Sequence, residues 1–361
     1  MTDIIFRTIG DDDIPAVNAF YNNYHHAGRT ASQFQWEFQY GPHGKGIYCM
    51  AIHEKTGQIL GIQAGIPIVV LTSAGNEQLT IKSEDTLVDV DLCAALKIKY
   101  LFGELYAFFV ARCRDKDAVC IWGFTWAKKS FLRIGFQIPF DLGQGLLVFH
   151  PFKSFHILSQ LNDKNTFRDK AKIAALVAVS WILGCRGRLN RSQAGLSSTE
   201  GIQSNKSIFL GLLNTNPGLV FIKQDAAYLD WRLNKNPYSL KYTVYNFHYK
   251  DQFAGQLIVS LHPNGQGYLE QILMIPGLPP AIQKKMVKAG VQYLSHEGAA
   301  HIRVLTFDGN PVDRQQLPLL KSTGFFYLDK GMSFVFLPLN EPPDFPPGNF
   351  LLSRLYMQGH N

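Results

Sequence analysis

The sequence predicts a mixed α/β protein, of the α+β type with mixed sheets, made of two tandem domains of one fold. Two observations carry this. Strand-like and helix-like apolar patterns alternate along the first 140 residues, and three anchors of that half recur in order in the second. Trp36 to Pro42 (WEFQYGP) matches Trp231 to Pro237 (WRLNKNP). A glycine inside a strand-like run follows 25 residues after Trp36 (Gly61) and 24 after Trp231 (Gly255). The pairs Gly135-Phe136 and Gly324-Phe325 close the pattern, their glycines 99 and 93 residues on from the tryptophans. Each match is weak alone, but their order and near-equal spacing mark a duplication.

Each element has its own signal. Ile4 to Ile9 reads as a strand, and Asp11, Asp12 and Asp13 then favour the start of a helix with Ile14, Val17, Phe20, Tyr21 and Tyr24 on one face. A second helix around Phe34 to Tyr40 stops at Gly41-Pro42. Strands follow at Ile47 to His53 and Ile59 to Leu71, joined by the Glu54-to-Gly57 turn, and another runs from Leu79 to Val90. Leu101, Leu105, Phe108, Phe109 and Cys113 recur at helical spacing, and Ala118 to Phe124 is a buried strand. In the second half, Ile282, Met286, Ala289 and Tyr293 share one helix face, read as structural. The expected division is 1–150 and 211–340 for the domains, 151–210 for a basic linker and 341–361 for a proline-rich tail.

With 46% hydrophobic, 13% aromatic and 17% charged residues in 361, the chain is globular rather than disordered and too large to be a disulfide scaffold. Five cysteines without a CxxC pair give neither a disulfide framework nor a zinc knuckle, and no metal is expected. Acidic Asp3 stands where a signal peptide carries positive charge, so a cytoplasmic protein is expected. Of the net charge of +7, the stretch from Pro151 to Leu210 holds +6. Nucleic acid is therefore not favoured as a partner. Inside that stretch lies the apolar run Ile173 to Gly184, flanked by Lys170, Lys172, Arg186, Arg188 and Arg191 and too short to cross a bilayer. It reads first as a helix packed across the two domains. The alternatives are a helix lying on an anionic membrane at the inner face, or a docking segment (164–191) for an acidic acyl carrier protein. Ser192 to Ser207 reads as a flexible linker.

Phe6-Arg7-Thr8-Ile9, Asp12-Asp13-Ile14-Pro15, Leu60-Gly61, Trp122-Gly123-Phe124 and Phe131-Leu-Arg-Ile-Gly-Phe136 together resemble the GNAT acyltransferase superfamily. The tandem WxxxxxP arrangement is similar to a bacterial two-domain group linked to cell-surface polysaccharide work. The resemblance implies transfer of an acyl group from acetyl-CoA, another acyl-CoA or an acyl carrier protein to an amine, with the donor between the fourth and fifth strands and its pyrophosphate at a helix N-terminus. It implies Glu84 or Asp85 as the proton acceptor, and Lys97, Lys99 and Tyr100 at the donor cradle, with Val88 and Val90 on the bordering strand. Trp126 and His360 would border the acceptor, His360 through a tail returning to the first domain's cleft.

Two departures from the family pattern matter. Tyr100 stands at a cradle position that calls for glycine, and Phe131 stands where a tyrosine would protonate the leaving thiolate. In the second half Pro276-to-Pro280 replaces the cradle and Leu320 the tyrosine. Two other readings follow: an aminoacyl-transferring Fem-like enzyme that uses charged tRNA, and a degenerate pair of domains acting as a binding or scaffold protein. A first-domain slot plugged by Tyr100 or Phe131 would favour the last. Trp36 and Trp231 read as core packing rather than ligand stacking.

Overall fold

The Gln33 N–H donates to Thr30 Oγ1 at 3.2 Å and the Thr30 N–H to Gln33 Oε1 at 2.7 Å. This reciprocal cap sets where the second helix begins. It belongs to a computed structural model that describes residues 3–72, 75–160, 166–188, 196–328, 331–339 and 345–357. The chain runs β1 (Ile4–Thr8), α1 (Ile14–His25), α2 (Ala31–Phe38), β2 (Ile47–His53), β3 (Ile59–Leu71) and β4 (Glu77–Val88). Next come α3 (Val90–Ala95), α4 (Leu101–Arg114), β5 (Cys120–Thr125), α5 (Lys128–Arg133), β6 (Gln137–Asp141) and β7 (Gly143–Val148). The middle of the chain holds α6 (Pro151–Gln160), α7 (Phe167–Arg188), β8 (Leu196–Glu200), α8 (Lys206–Thr215), β9 (Val220–Ile222) and α9 (Ala226–Leu229). β10 (Lys241–Tyr249), β11 (Gln252–Leu261), β12 (Gln266–Met274), α10 (Pro280–His296), β13 (His301–Thr306) and α11 (Pro311–Ser322) follow, then β14 (Phe326–Leu328), β15 (Ser333–Pro338) and β16 (Phe350–Leu351).

Two compact units form, and they are not the contiguous segments expected from the sequence. The first takes the chain up to Pro139 with Ala227–Tyr238 and Ser333–Pro347; the second takes the remainder. In the first, the sheet order is β1-β2-β3-β4-β5-β15-β6, antiparallel through β4, with β5 parallel to β4 and β15 antiparallel to β5. In the second it is β14-β7-β13-β12-β11-β10-β8, with β12 and β13 parallel. Each sheet thus completes itself with a strand from the other half of the sequence. β7, which follows the first repeat, pairs with β13, while β15, which follows the second, pairs with β5.

The segment expected as a linker is part of the second unit. β8 pairs antiparallel with β10, Glu200 opposite Tyr245, so the polar stretch placed in a flexible connection contains a sheet strand. The run 173–184 lies in α7, which packs on β7 of its own unit through Val177 and Ser180, the Ser180 hydroxyl donating to the Leu146 carbonyl at 2.8 Å.

Each core centres on one helix against the sheet. In the first unit, α4 places Leu101, Leu105 and Phe109 against Cys49, Ile81 and Ile121; in the second, α10 places Ile282, Met286 and Leu294 against Leu257, Leu269 and Ile302. The repeated strand glycine has a packing reason. A Cβ on Gly255 would lie 2.4 Å from Met286 Cε and 2.5 Å from the Leu273 carbonyl, and one on Gly61 would lie 3.0 Å from the Leu87 carbonyl. All five cysteines are unpaired, four of them buried.

Candidate functional site

In the first unit, β4 and β5 pair in parallel at Ile81↔Ile121 and Lys82↔Trp122, beyond which both strands run on. A bulge follows: Ala64 faces Glu84 and Ile62 faces Leu87, which leaves Asp85 at φ +47°. The Asp85 carboxylate accepts from Arg29 Nη1 at 2.6 Å and from the Tyr48 hydroxyl at 2.8 Å. Arg29 also reaches Glu37 Oε2 at 3.2 Å and lies 3.7 Å from the Tyr21 ring centroid, while the Tyr238 hydroxyl donates to Glu37 Oε1. One guanidinium therefore serves two carboxylates. Burial first, and then the charge of Asp85, push the Glu37 carboxyl up to about 7, and burial raises the Tyr21 phenol to about 12. Glu84 pairs with Lys82. Both expected proton acceptors are thus engaged by basic side chains.

The residue at the expected acid position of this unit is packed. Phe131 is only 5% exposed and packs against Phe102, Tyr106 and Phe136 at ring separations of 5.7, 5.7 and 5.0 Å, so the side chain that would face a leaving thiolate sits in the core. The Tyr106 hydroxyl donates to Ser83 Oγ at 3.0 Å and spans from α4 to β4. A Cβ on Gly123 would come within 3.1 Å of the Ser83 carbonyl, so the backbones stay close just past the last paired residues. Tyr100 does not plug anything: it is 85% exposed and precedes α4 at φ +63°, the left-handed geometry for which glycine would be preferred. Lys97 and Lys99 are exposed in the same turn, Val88 is half-buried, Val90 is exposed, and Trp126 lies just beyond β5, exposed.

The second unit has cavities near the corresponding place. β12 and β13 pair from Gln266↔His301 to Leu269↔Val304 and then part. A cavity of about 270 Å³ lies beside β12, bounded by Ile272 and Met274 of that strand, Gly277, Gln283 in the first turn of α10, and Gln316 and Leu319 of α11. Gly277 has φ +75°, which suits glycine in the turn leading to α10. A smaller cavity of about 20 Å³ shares Ile272 and Gln316 and is lined by Glu270 and Arg354.

Glu270 is the bulged residue of β12, since Ile258 faces Gln271 and Val259 faces Leu269. Its Oε1 accepts from Ser260 Oγ at 2.5 Å and from Arg354 Nη1 at 2.6 Å, while the buried Oε2 has no hydrogen-bond partner. Arg354 lies 3.5 Å from the Tyr268 ring centroid, a cation–π contact that holds the guanidinium in place. Beside it Gln224 Nε2 donates to Gln271 Oε1 at 2.6 Å and to the Tyr356 hydroxyl at 2.5 Å, an uncharged buried network. The chain from Phe350 to Tyr356 belongs to the second unit, where β16 pairs with β9, and His360 lies outside the described residues.

Sequence reasoning missed Glu270 and Arg354. A signal for Glu270 was present: it is the acidic residue on the second repeat's counterpart of the strand that carries Asp85, and it too sits in a bulge and pairs with an arginine and a hydroxyl. Arg354 has no such counterpart. Among the described residues, no cluster of His, Cys, Asp or Glu is placed to hold a metal ion.

Comparison with known proteins places the fold. No family model matches the chain, and no curated protein matches it in sequence. Solved structures do match. A GCN5-related N-acetyltransferase from Anabaena variabilis aligns with a TM-score of 0.58 at 9% identity over 93% of this chain and 73% of its own. A tandem GNAT protein from the clavulanic acid biosynthesis pathway aligns with a TM-score of 0.55 at 11% identity over 93% and 99%. N-myristoyltransferase of Saccharomyces cerevisiae, solved with bound myristoyl-CoA, aligns with a TM-score of 0.54 at 13% identity over 93% and 78%. The chain thus has the fold of the GNAT acyltransferases, in tandem.

Proposed function

We propose that this protein is an acyltransferase that moves an acyl group from a pantetheine thioester to an amine, with the donor in the cleft of the second unit. The observation that carries the reading is the cavity beside β12 at the first turn of α10, which shares Ile272 and Gln316 with the smaller cavity between β12 and β13. A thioester supplies an activated acyl carbon, and everything else falls to the chain. The N-terminus of the 17-residue α10, with Lys284 in its second turn, favours the donor's phosphate end. Asn216, Gln283 and Gln316 offer amide groups to the amides of a pantetheine arm, and Leu212, Ile272 and Leu319 keep the cleft apolar. The 20 Å³ cavity beside Glu270 is large enough for about one water, through which the free Oε2 would take the ammonium proton. Arg354 and Ser260 hold the other oxygen and so fix the carboxylate's orientation.

In this reading the first unit is not the donor site, since Phe131, which stands where a tyrosine would protonate the leaving thiolate, is packed against Tyr106. Acetyl-CoA, a longer acyl-CoA and an acyl carrier protein remain the donors to be compared. The test is thermal stabilisation of the pure protein by each donor, followed by transfer of labelled acyl groups to a panel of primary amines. Stabilisation by acyl-CoA that disappears when the cleft is filled supports the reading; no stabilisation and no transfer with any donor overturns it.

A further inference from the structure

The outward face of α7 has no role in the chemistry above, yet its make-up is specific. The inner face, with Ile173, Leu176, Val177 and Ser180, packs on β7. At 3.6 residues per turn, Ala171, Ala174, Ala178 and Ile182 form one stripe on the opposite side, all exposed. Val179 and Trp181 border the stripe, 43% and 41% exposed, and Ile182 is 50% exposed. Charge follows the same geometry. Lys170 flanks the stripe on one side and Arg168 and Lys172 on the other, all three exposed.

We propose that this face of α7 rests on the surface of an anionic bilayer, its alanine, isoleucine and tryptophan side chains at the level of the headgroups and its basic side chains on lipid phosphates and carboxylates. Three observations select lipid over other occupants. The apolar stripe lies between two basic borders, the arrangement of a helix lying in an interface, where lysine and arginine stems reach outward to the charged surface. The helix sits in the stretch that holds +6 of the chain's +7, and Arg168, Lys170 and Lys172 of that stretch border the apolar stripe. No helix among the described residues is long and apolar enough to cross a membrane, so the contact is peripheral.

The test uses the full chain and needs no enzymatic activity, so its outcome is independent of the acyl-transfer reading. Co-sedimentation is measured with vesicles of phosphatidylcholine alone and with vesicles containing roughly 30% phosphatidylserine. Binding is expected to the anionic vesicles only and to weaken in high salt. Lys170→Gln with Lys172→Gln should lower the partition coefficient roughly tenfold or more, and Ile182→Asp should abolish binding. Each change is on an exposed side chain, so thermal melting should stay as in the parent protein. Equal binding to both vesicle types, or none to either, overturns the proposal. So does a parent protein that sediments as a dimer and becomes a monomer on Ile182→Asp, which would assign the face to a second copy.

Discussion

Trp36 and Trp231 stack with ring centroids 4.8 Å apart, and each donates its indole N–H to the other's backbone carbonyl, at 2.9 and 3.0 Å. The two tryptophans that mark the sequence repeat therefore meet each other, both 4% exposed and both in the first unit. This is packing, as the sequence suggested, but of a reciprocal kind. Trp36→Phe should leave the Trp231 carbonyl without its donor and cost about 1–3 kcal/mol; Trp36→Ala should cost about 3–5 kcal/mol. A double-mutant cycle with Trp231→Phe, read by urea unfolding followed by circular dichroism, should give a coupling above about 0.5 kcal/mol. Additive losses would show that the two rings act separately.

Stability should fall as pH rises toward neutrality, through Glu37. In the folded protein its carboxyl keeps its proton up to about 7, whereas the ordinary value for the unfolded chain is 4.5. Between those values folding takes up a proton, so the contribution is complete below 4.5 and is lost on passing through about 7. Glu37→Gln should flatten this part of the pH profile. Unfolding free energies of both proteins at several pH values between 4.5 and 7.5 decide it, and parallel slopes would sink the assignment.

Glu270→Gln should reduce acyl transfer by about 10² or more while leaving donor binding unchanged, because the side chain keeps its shape and loses only its proton affinity. Single-turnover rates beside donor affinity make the distinction. A variant that transfers normally would remove Glu270 from the chemistry.

The two units should respond in opposite ways to changes at equivalent places. Leu319→Trp fills the open cleft of the second unit and should abolish stabilisation by acyl-CoA while the protein still folds. Phe131→Ala removes a packed ring from the first and should cost about 3–5 kcal/mol without changing donor affinity. Calorimetry with acyl-CoA on both variants checks this, and a donor that binds Leu319→Trp as well as the parent would move the site elsewhere.

Much of the local structure was legible. The strands at Ile47–His53 and Ile59–Leu71 coincide with their apolar runs, because turn signals bound them on both sides. Pairings across long separations were not. Arg29 sits in a loop with no periodic pattern, and its partner Asp85 is 56 residues away; Arg354 finds Glu270 across 84. The missing glycines and tyrosines directed attention to the first half, where Glu84 and Asp85 stood out as an acidic pair. The proposed reading rests instead on the packing of Phe131 in one unit and on the cavity beside β12 in the other. That is a property of volume, which a linear pattern does not carry.

The exchange of strands has a temporal side. β5 ends at Thr125, and its antiparallel neighbour β15 is encoded from Ser333 to Pro338. At ordinary synthesis speeds the ribosome takes roughly 10–40 s to cover that interval, during which the nascent first unit shows an unpaired apolar strand edge. Circular permutation or truncation that removes the last thirty or so residues would leave that edge permanently bare, and chaperone dependence during synthesis is the expected result. The β7–β13 pair of the second unit has no such delay, since β7 is already made when β13 emerges. The sheet begun first on the ribosome therefore waits for a strand made near the end of the chain.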